Sequence, residues 1–134
     1  MERRELMGIL LDTCAFLWVI LGARELSSRA KDLFTDPSND VFLSAVSVWE
    51  ISVKYTLGRL PLHEPPERFL SQERERHLIA PLPLDEADVL HLHRLPQLHK
   101  DPFDRMLVCQ AIERGLVILT PDRLIRQYPT RTAW

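Results

Sequence analysis

The sequence predicts an α/β fold, with helices on both faces of a mainly parallel sheet of four to five strands. Three observations predict it. The runs MGILL (7–11) and LVIL (116–119) are short, unbroken and apolar, as expected of strands buried on both faces. Longer segments between such runs open on Ser or Asp and close on Gly, the usual helix boundaries. Strands and helices then alternate along the chain, which is the pattern of right-handed crossovers in a parallel sheet.

The length of 134 residues suits one domain with a single core. We expect one domain over 1–134, with residues 1–6 as an N-terminal extension and Met7 as an alternative start. A chain 46% hydrophobic and 27% charged is globular rather than disordered. The net charge of −2 gives no global basic field, so nucleic-acid binding by bulk charge is excluded and only a local basic patch could serve. Arg3 and Arg4 before LMGILLDTCAFLWVIL imitate a signal peptide, but Asp12 interrupts the run and no small-x-small cleavage site follows. The run is also too short and too broken to cross a bilayer. The expectation is a cytoplasmic protein without a membrane partner. Cys14 and Cys109 lie in apolar stretches and read as small buried hydrophobes in a reducing compartment.

Element by element, 7–11 is the first strand and Asp12 ends it. Short helices follow at 14–20 and 27–34, the second capped by Ser27 or Ser28. DPSND (36–40) is a turn, and 41–43 is the second strand. Ser44 can cap a helix over 45–57 that stops at Gly58, although its β-branched residues lean toward a strand. Residues 61–66 form a Pro-rich loop and 67–76 a polar, largely solvated helix. A strand is expected at 77–80, a loop at 81–83, and a helix from Asp85 to about His93. Residues 101–114 form a helix stopped by Gly115, 116–119 a strand, 123–127 a short helix and 130–134 a last strand.

Ligands of open parallel sheets bind at the carboxyl ends of the strands. Asp12 directly follows the first strand and Asp122 closely follows the run 116–119, so both fall on that edge. Glu50 lies in the helix after the second strand, and Asp101 and Asp104 open the helix before 116–119. Taken singly each has an ordinary reading: Asp12 and Asp122 as turn residues, Glu50 as an i,i+4 partner of Lys54, Asp101 as a cap ahead of Pro102, Asp104 as a first-turn acid. Taken together they repel: a like pair at ~4 Å costs roughly 4 kcal/mol at an effective dielectric near 20. Such a cluster protonates in part or binds a cation. Oxygen donors without a Cys/His set favour Mg2+ or Mn2+ over zinc, which points to metal-assisted phosphodiester hydrolysis.

The basic residues near the acids (Lys54, Arg59, Lys100, Arg105, Arg123 and Arg126) read either as phosphate contacts or as a solvated face, with Lys54 and Arg105 the first candidates for phosphate. The five histidines read as structural or surface residues. His91 and His93 are two apart and diverge on a helix, and His99 stands out only for its nearness to the acids. Trp18, Trp49 and Trp134 read as core or interface residues rather than stacking platforms.

LLDTCAFLW, SAVSVWEISVKYTLGRL, HKDPFDRMLVCQA and ILTPDRLI, in this order, resemble the motifs of PIN domains, in particular the VapC-type toxins of toxin–antitoxin pairs. The resemblance runs from about Met7 to Trp134 and implies a PIN-like α/β/α sandwich. It also implies a Mg2+- or Mn2+-dependent endoribonuclease, neutralised by a cognate antitoxin and commonly a homodimer. By position it makes Asp12, Glu50, Asp104 and Asp122 the catalytic and metal-holding acids, with Ser47 and Thr120 as supporting hydroxyls. Asp101 belongs to the DPFDR variant, caps the helix, and would reach an ion only through water. The sequence departs at Cys14, where relatives often carry a hydroxyl residue. The same resemblance favours a helix over 45–57.

Two other readings compete. One is a binding or regulatory module with little hydrolysis, which the complete set of acids disfavours. The other is a haloacid-dehalogenase-like phosphohydrolase, which needs a second Asp where Cys14 stands.

Overall fold

The structure, a computed structural model, describes residues 7–134; the N-terminal extension read at 1–6 and its two arginines lie outside the described residues. Its elements are β1 (Gly8–Leu11), α1 (Thr13–Leu21), α2 (Ser28–Thr35), β2 (Asp40–Ser44), α3 (Ala45–Thr56), α4 (Pro66–His77), β3 (Ala80–Leu82), α5 (Glu86–Leu90), α6 (Pro102–Arg114), β4 (Val117–Leu119) and β5 (Thr132–Ala133). Two 3-10 turns, His91–Arg94 and Ile125–Gln127, complete the set. The strands form one five-stranded sheet in the order β3-β2-β1-β4-β5. Every pairing is parallel, as the alternation of elements predicts.

β1 is central because both of its faces are apolar. Ile9 and Leu11 enter one core with Phe16, Ala30, Ile51 and Phe69, so α1, α2, α3 and α4 cover that face. Leu10 enters the other core with Leu107, Val108, Ile118 and Tyr128, beneath α6. Gly8 leaves room for this: a Cβ there would lie 2.6 Å from the Leu116 side chain.

The segment 45–57 is helical over Ala45–Thr56, with Ser44 Oγ accepting from the Val46 N–H. Its bias toward a strand is overridden by burial of Val46 and Ile51 against the sheet. The strand expected at 77–80 falls instead at Ala80–Leu82. α4 runs on through His77, and Leu78 closes it in the left-handed conformation with φ 56°. Pro81 argues for a loop, yet it is admissible in β3, an edge strand that needs only one side of its ladder. The helix expected from Asp85 to about His93 is α-helical only to Leu90 and continues as the 3-10 turn His91–Arg94. α4 is less solvated than its composition suggests, burying Phe69, Leu70 and Glu73. Cys109 is buried as expected, but Cys14 is exposed, because α1 turns Thr13 and Ala15 inward instead.

Candidate active site

The carboxyl ends of β1 and β4 place Asp12 and Asp122 side by side. Asp12 is the N-cap of α1: Oδ1 accepts from the Ala15 N–H at 2.6 Å. Its other oxygen accepts from the Thr120 hydroxyl. That hydroxyl also accepts from the Asp122 N–H at 3.0 Å, so the fully buried Thr120 ties the two acidic loops together. Asp122 in turn accepts from the Leu124 N–H at 2.8 Å, which fixes the turn after β4.

α3 carries Glu50 into the same place, almost fully buried. Its Oε1 accepts from the Thr13 hydroxyl at 2.7 Å, and its Oε2 pairs with Lys54 Nζ at 2.6 Å. Thr13 Oγ1 also lies 3.0 Å from Ser47 Oγ. With one proton, the Thr13 hydroxyl donates to the carboxylate and accepts from Ser47. Sequence reasoning missed Thr13 because it looked for the hydroxyl at position 14. The signal available was the Asp-Thr pair itself: an N-cap followed by a residue turned into the fold.

At the start of α6 the two aspartates divide their roles. Asp101 Oδ1 accepts from the Phe103 and Asp104 N–H groups at 2.9 and 3.1 Å, an N-cap ahead of Pro102. Asp104, one turn on, has Oδ2 3.4 Å from His99 Nε2. Asp12, Thr13, Glu50, Lys54, Asp101, Asp104 and Asp122 line one cleft of about 290 Å³ with Cys14 and Leu17.

Arg105 is not at this cleft. It is 7% exposed and donates to the Pro96 carbonyl at 2.8 Å and the Tyr128 hydroxyl at 3.0 Å. This placement does not support the expected phosphate contact at Arg105: its Nη1 is bonded inside the protein and the side chain is not among those that line the cleft. Lys54 does face the cleft, but as the partner of Glu50. Trp18 and Trp134 pack together, rings 5.7 Å apart, whereas Trp49 is 55% exposed and not a core residue; it leans edge-on against Phe103. His91 pairs with Glu113 at 2.7 Å, a structural role.

The electrostatics follow from burial. Asp12 is pushed up to about 6, first by desolvation and then by Asp122 and Glu50, against the pull of Thr120 and the Ala15 N–H. Asp104 is pushed up to about 7 by desolvation, then by Asp101, Asp122, Glu50 and Asp12. Five carboxylates and one lysine line the cleft, an excess of negative charge made only of hard oxygen donors. Such a donor set fits a divalent magnesium-like cation. Among the described residues no three His, Cys, Asp or Glu side chains form a ready-made ligand set. Asp12, Glu50 and Asp122 each accept from a local N–H, hydroxyl or ammonium donor.

An all-parallel α/β sheet with a carboxylate-lined cleft at its central strand ends defines a class of acidic-site domain. The chain belongs to the PIN domain family, whose model matches residues 9–130. It is 33% identical over 69 residues to ribonuclease VapC16 of Mycobacterium tuberculosis, a stretch covering 52% of this chain. The match spans about half of that relative, 49% of its length. Among solved structures it resembles VapBC2 from Rickettsia felis, bound to a DNA fragment from their promoter. There the TM-score is 0.70 and the identity 14%, over 95% of this chain and 98% of that one. FitAcB from Neisseria gonorrhoeae aligns with a TM-score of 0.62 and 21% identity, over 92% and 95% of the two chains. VapBC-1 from nontypeable Haemophilus influenzae aligns at 0.65 and 18%, over 95% and 97%. At these identities the structural likeness speaks for the fold.

Proposed function

We propose that this chain is a metal-dependent endoribonuclease and the toxin of a toxin–antitoxin pair. The observation that carries the proposal is the meeting of Asp12, Glu50, Asp104 and Asp122 in one cleft of a PIN domain. The relative named a ribonuclease supports the activity, and the VapBC likeness supports an antitoxin partner.

In this reading the four acids hold Mg2+ or Mn2+, with Asp101 reaching the ion through water. A bound ion of this kind supplies a water of lowered pKa and positive charge for the phosphate under attack. The chain's own groups prepare the place. Thr120 orients Asp12 and the Asp122 loop, Ser47 and Thr13 orient Glu50, and Lys54 is the cation available to an RNA phosphate once Glu50 turns to the ion. No covalent nucleophile is needed: a water oxygen bonds to phosphorus as the P–O3′ bond breaks, so the products carry a 5′-phosphate and a 3′-hydroxyl. The reading is of a cytoplasmic, single-domain protein that works as a homodimer; among the described residues no helix is long and apolar enough to cross a membrane.

The deciding experiment incubates cellular RNA with the purified chain and Mn2+, with and without EDTA, beside Asp12→Asn and Asp104→Asn. Cleavage should require Mn2+ and fall in both variants by more than the roughly 10–100-fold typical of losing an outer-shell partner. Equal cleavage by wild type and both variants sinks the proposal. If no RNA is cut while a short protein encoded beside the gene still binds, the chain is a regulatory binding module.

A further inference from the structure

The surroundings of Asp104 contain a chain of contacts whose hydrogen-bond directions can be worked out. Arg105 Nη1 lies 3.0 Å from the Tyr128 hydroxyl. The Tyr128 hydroxyl lies 2.7 Å from His99 Nδ1. His99 Nε2 lies 3.4 Å from Asp104 Oδ2. Tyr128 is 3% exposed and the His99 side chain 9% exposed, so bulk water does not complete these partnerships.

A guanidinium only donates. Tyr128 Oη therefore accepts from Arg105 and has one proton of its own to place. Among the described residues its remaining hydrogen-bond partner is His99 Nδ1. Were Nδ1 protonated, the phenol proton would be stranded in a buried site, which costs about 1–3 kcal/mol. Once Asp104 is ionised, the far end of the ring gives the same answer. A bare Nε2 would turn its lone pair toward a carboxylate oxygen, whereas Nε2–H makes a hydrogen bond, though a long one.

We propose that His99 is a positioning residue for Asp104, locked by Arg105 and Tyr128 as the Nε2–H tautomer whose N–H holds the Asp104 carboxylate at the mouth of the cleft. The proposal rests on the reading of Asp104 as an acid of the hydrolytic site. It also explains the buried Arg105, which acts on the site through two intermediaries and never meets the substrate. Carboxylates that hold metals are commonly aimed by such outer partners.

Two measurements test it without relying on turnover. Two-bond 1H–15N correlations of the metal-free wild type at a pH of about 8 should show His99 Nδ1 unprotonated and Nε2 protonated. The opposite tautomer overturns the proposal, and no substitution is involved. Calorimetric titration with Mn2+ then compares His99→Ala with His99→Gln, whose amide N–H can stand in for Nε2–H. The Ala variant should lose about tenfold or more in Mn2+ affinity and the Gln variant much less. Wild-type affinity in the Ala variant, or equal loss in both, overturns it. A wild type that binds no Mn2+ overturns both this inference and the metal-site reading. Mn2+ binding with the expected Ala–Gln difference but no RNA cleavage defeats the ribonuclease reading alone.

Discussion

Asp12 and Asp104 hold protons that ordinary aspartates give up, Asp12 to about 6 and Asp104 to about 7, because the fold buries them among other acids. Function and stability therefore oppose each other at these residues. Asp104→Asn should raise the melting temperature of the metal-free protein at pH 7 while abolishing RNA cleavage. Thermal melts in EDTA beside a cleavage assay read both, and a lower melting temperature contradicts the burial argument. Thr120→Val, nearly isosteric, removes the donor to Asp12 and the acceptor of the Asp122 N–H. It should cost about 1–3 kcal/mol in chemical denaturation, since both partners are left short in or near the core. The acids that line the cleft stood out in the sequence because Asp12 and Asp122 follow strands and Asp101 and Asp104 open a helix, whereas Glu50, in the second turn of α3, needed the family resemblance to outweigh its pairing with Lys54. Thr13 and the His99–Tyr128 pair were not. Position 14 drew attention to the wrong neighbour, and Tyr128 reaches His99 across 29 residues, a separation no local pattern encodes.

At the level of elements, the boundaries that sequence placed well are those with a chemical marker. α6 begins at Asp101-Pro102 and ends at Gly115, whose φ of 66° suits glycine. The end of α4 has no such marker, since Leu78 takes up the left-handed position, and the start of β3 is displaced from the expected one for that reason. The caps give a clean test at α6. Asp101→Ala should cost about 1 kcal/mol and Asp101→Ser far less, because Ser also accepts from the N2 and N3 N–H groups. Both should weaken Mn2+ binding less than Asp104→Asn does, since Asp101 reaches the ion only through water; loss in Asp101→Ser with retention in Asp104→Asn reverses the two assignments. A second element-level tie is Arg114 of α6, which donates to Asp88 of α5 at 3.0 Å and to Asp85 at 2.7 Å. Burial alone would raise Asp88, but Arg114 holds its carboxyl below the usual range. Arg114→Met should loosen α5 and cost about 1–3 kcal/mol by denaturation, since the buried Asp88 carboxylate loses its charged donor and keeps the Asp85 N–H and the Gln110 amide.

For the whole molecule, these acids set the dependence of stability on pH. An unfolded aspartate ionises near pH 4. In the fold Asp12 and Asp104 retain their protons until about 6 and about 7. Between those limits the folded chain binds more protons than the unfolded chain, so their contribution to stability falls as pH rises. In EDTA the melting temperature should decline from about pH 5 to about pH 7.5, and Mg2+ should flatten the decline by replacing the protons. A profile in EDTA that is flat or rises over that range would count against the clustered site. One more property of the whole follows from the edge of its sheet. β3 is three residues long with proline at its middle, and β5, at the other edge, is only two residues long. Pro81 offers no N–H to a strand arriving from outside. Both edges are poor templates for an arriving strand, and the fold resists growing into fibres by that route. The surfaces left to a partner are chiefly helices and loops, the same kind that surround the acidic cleft.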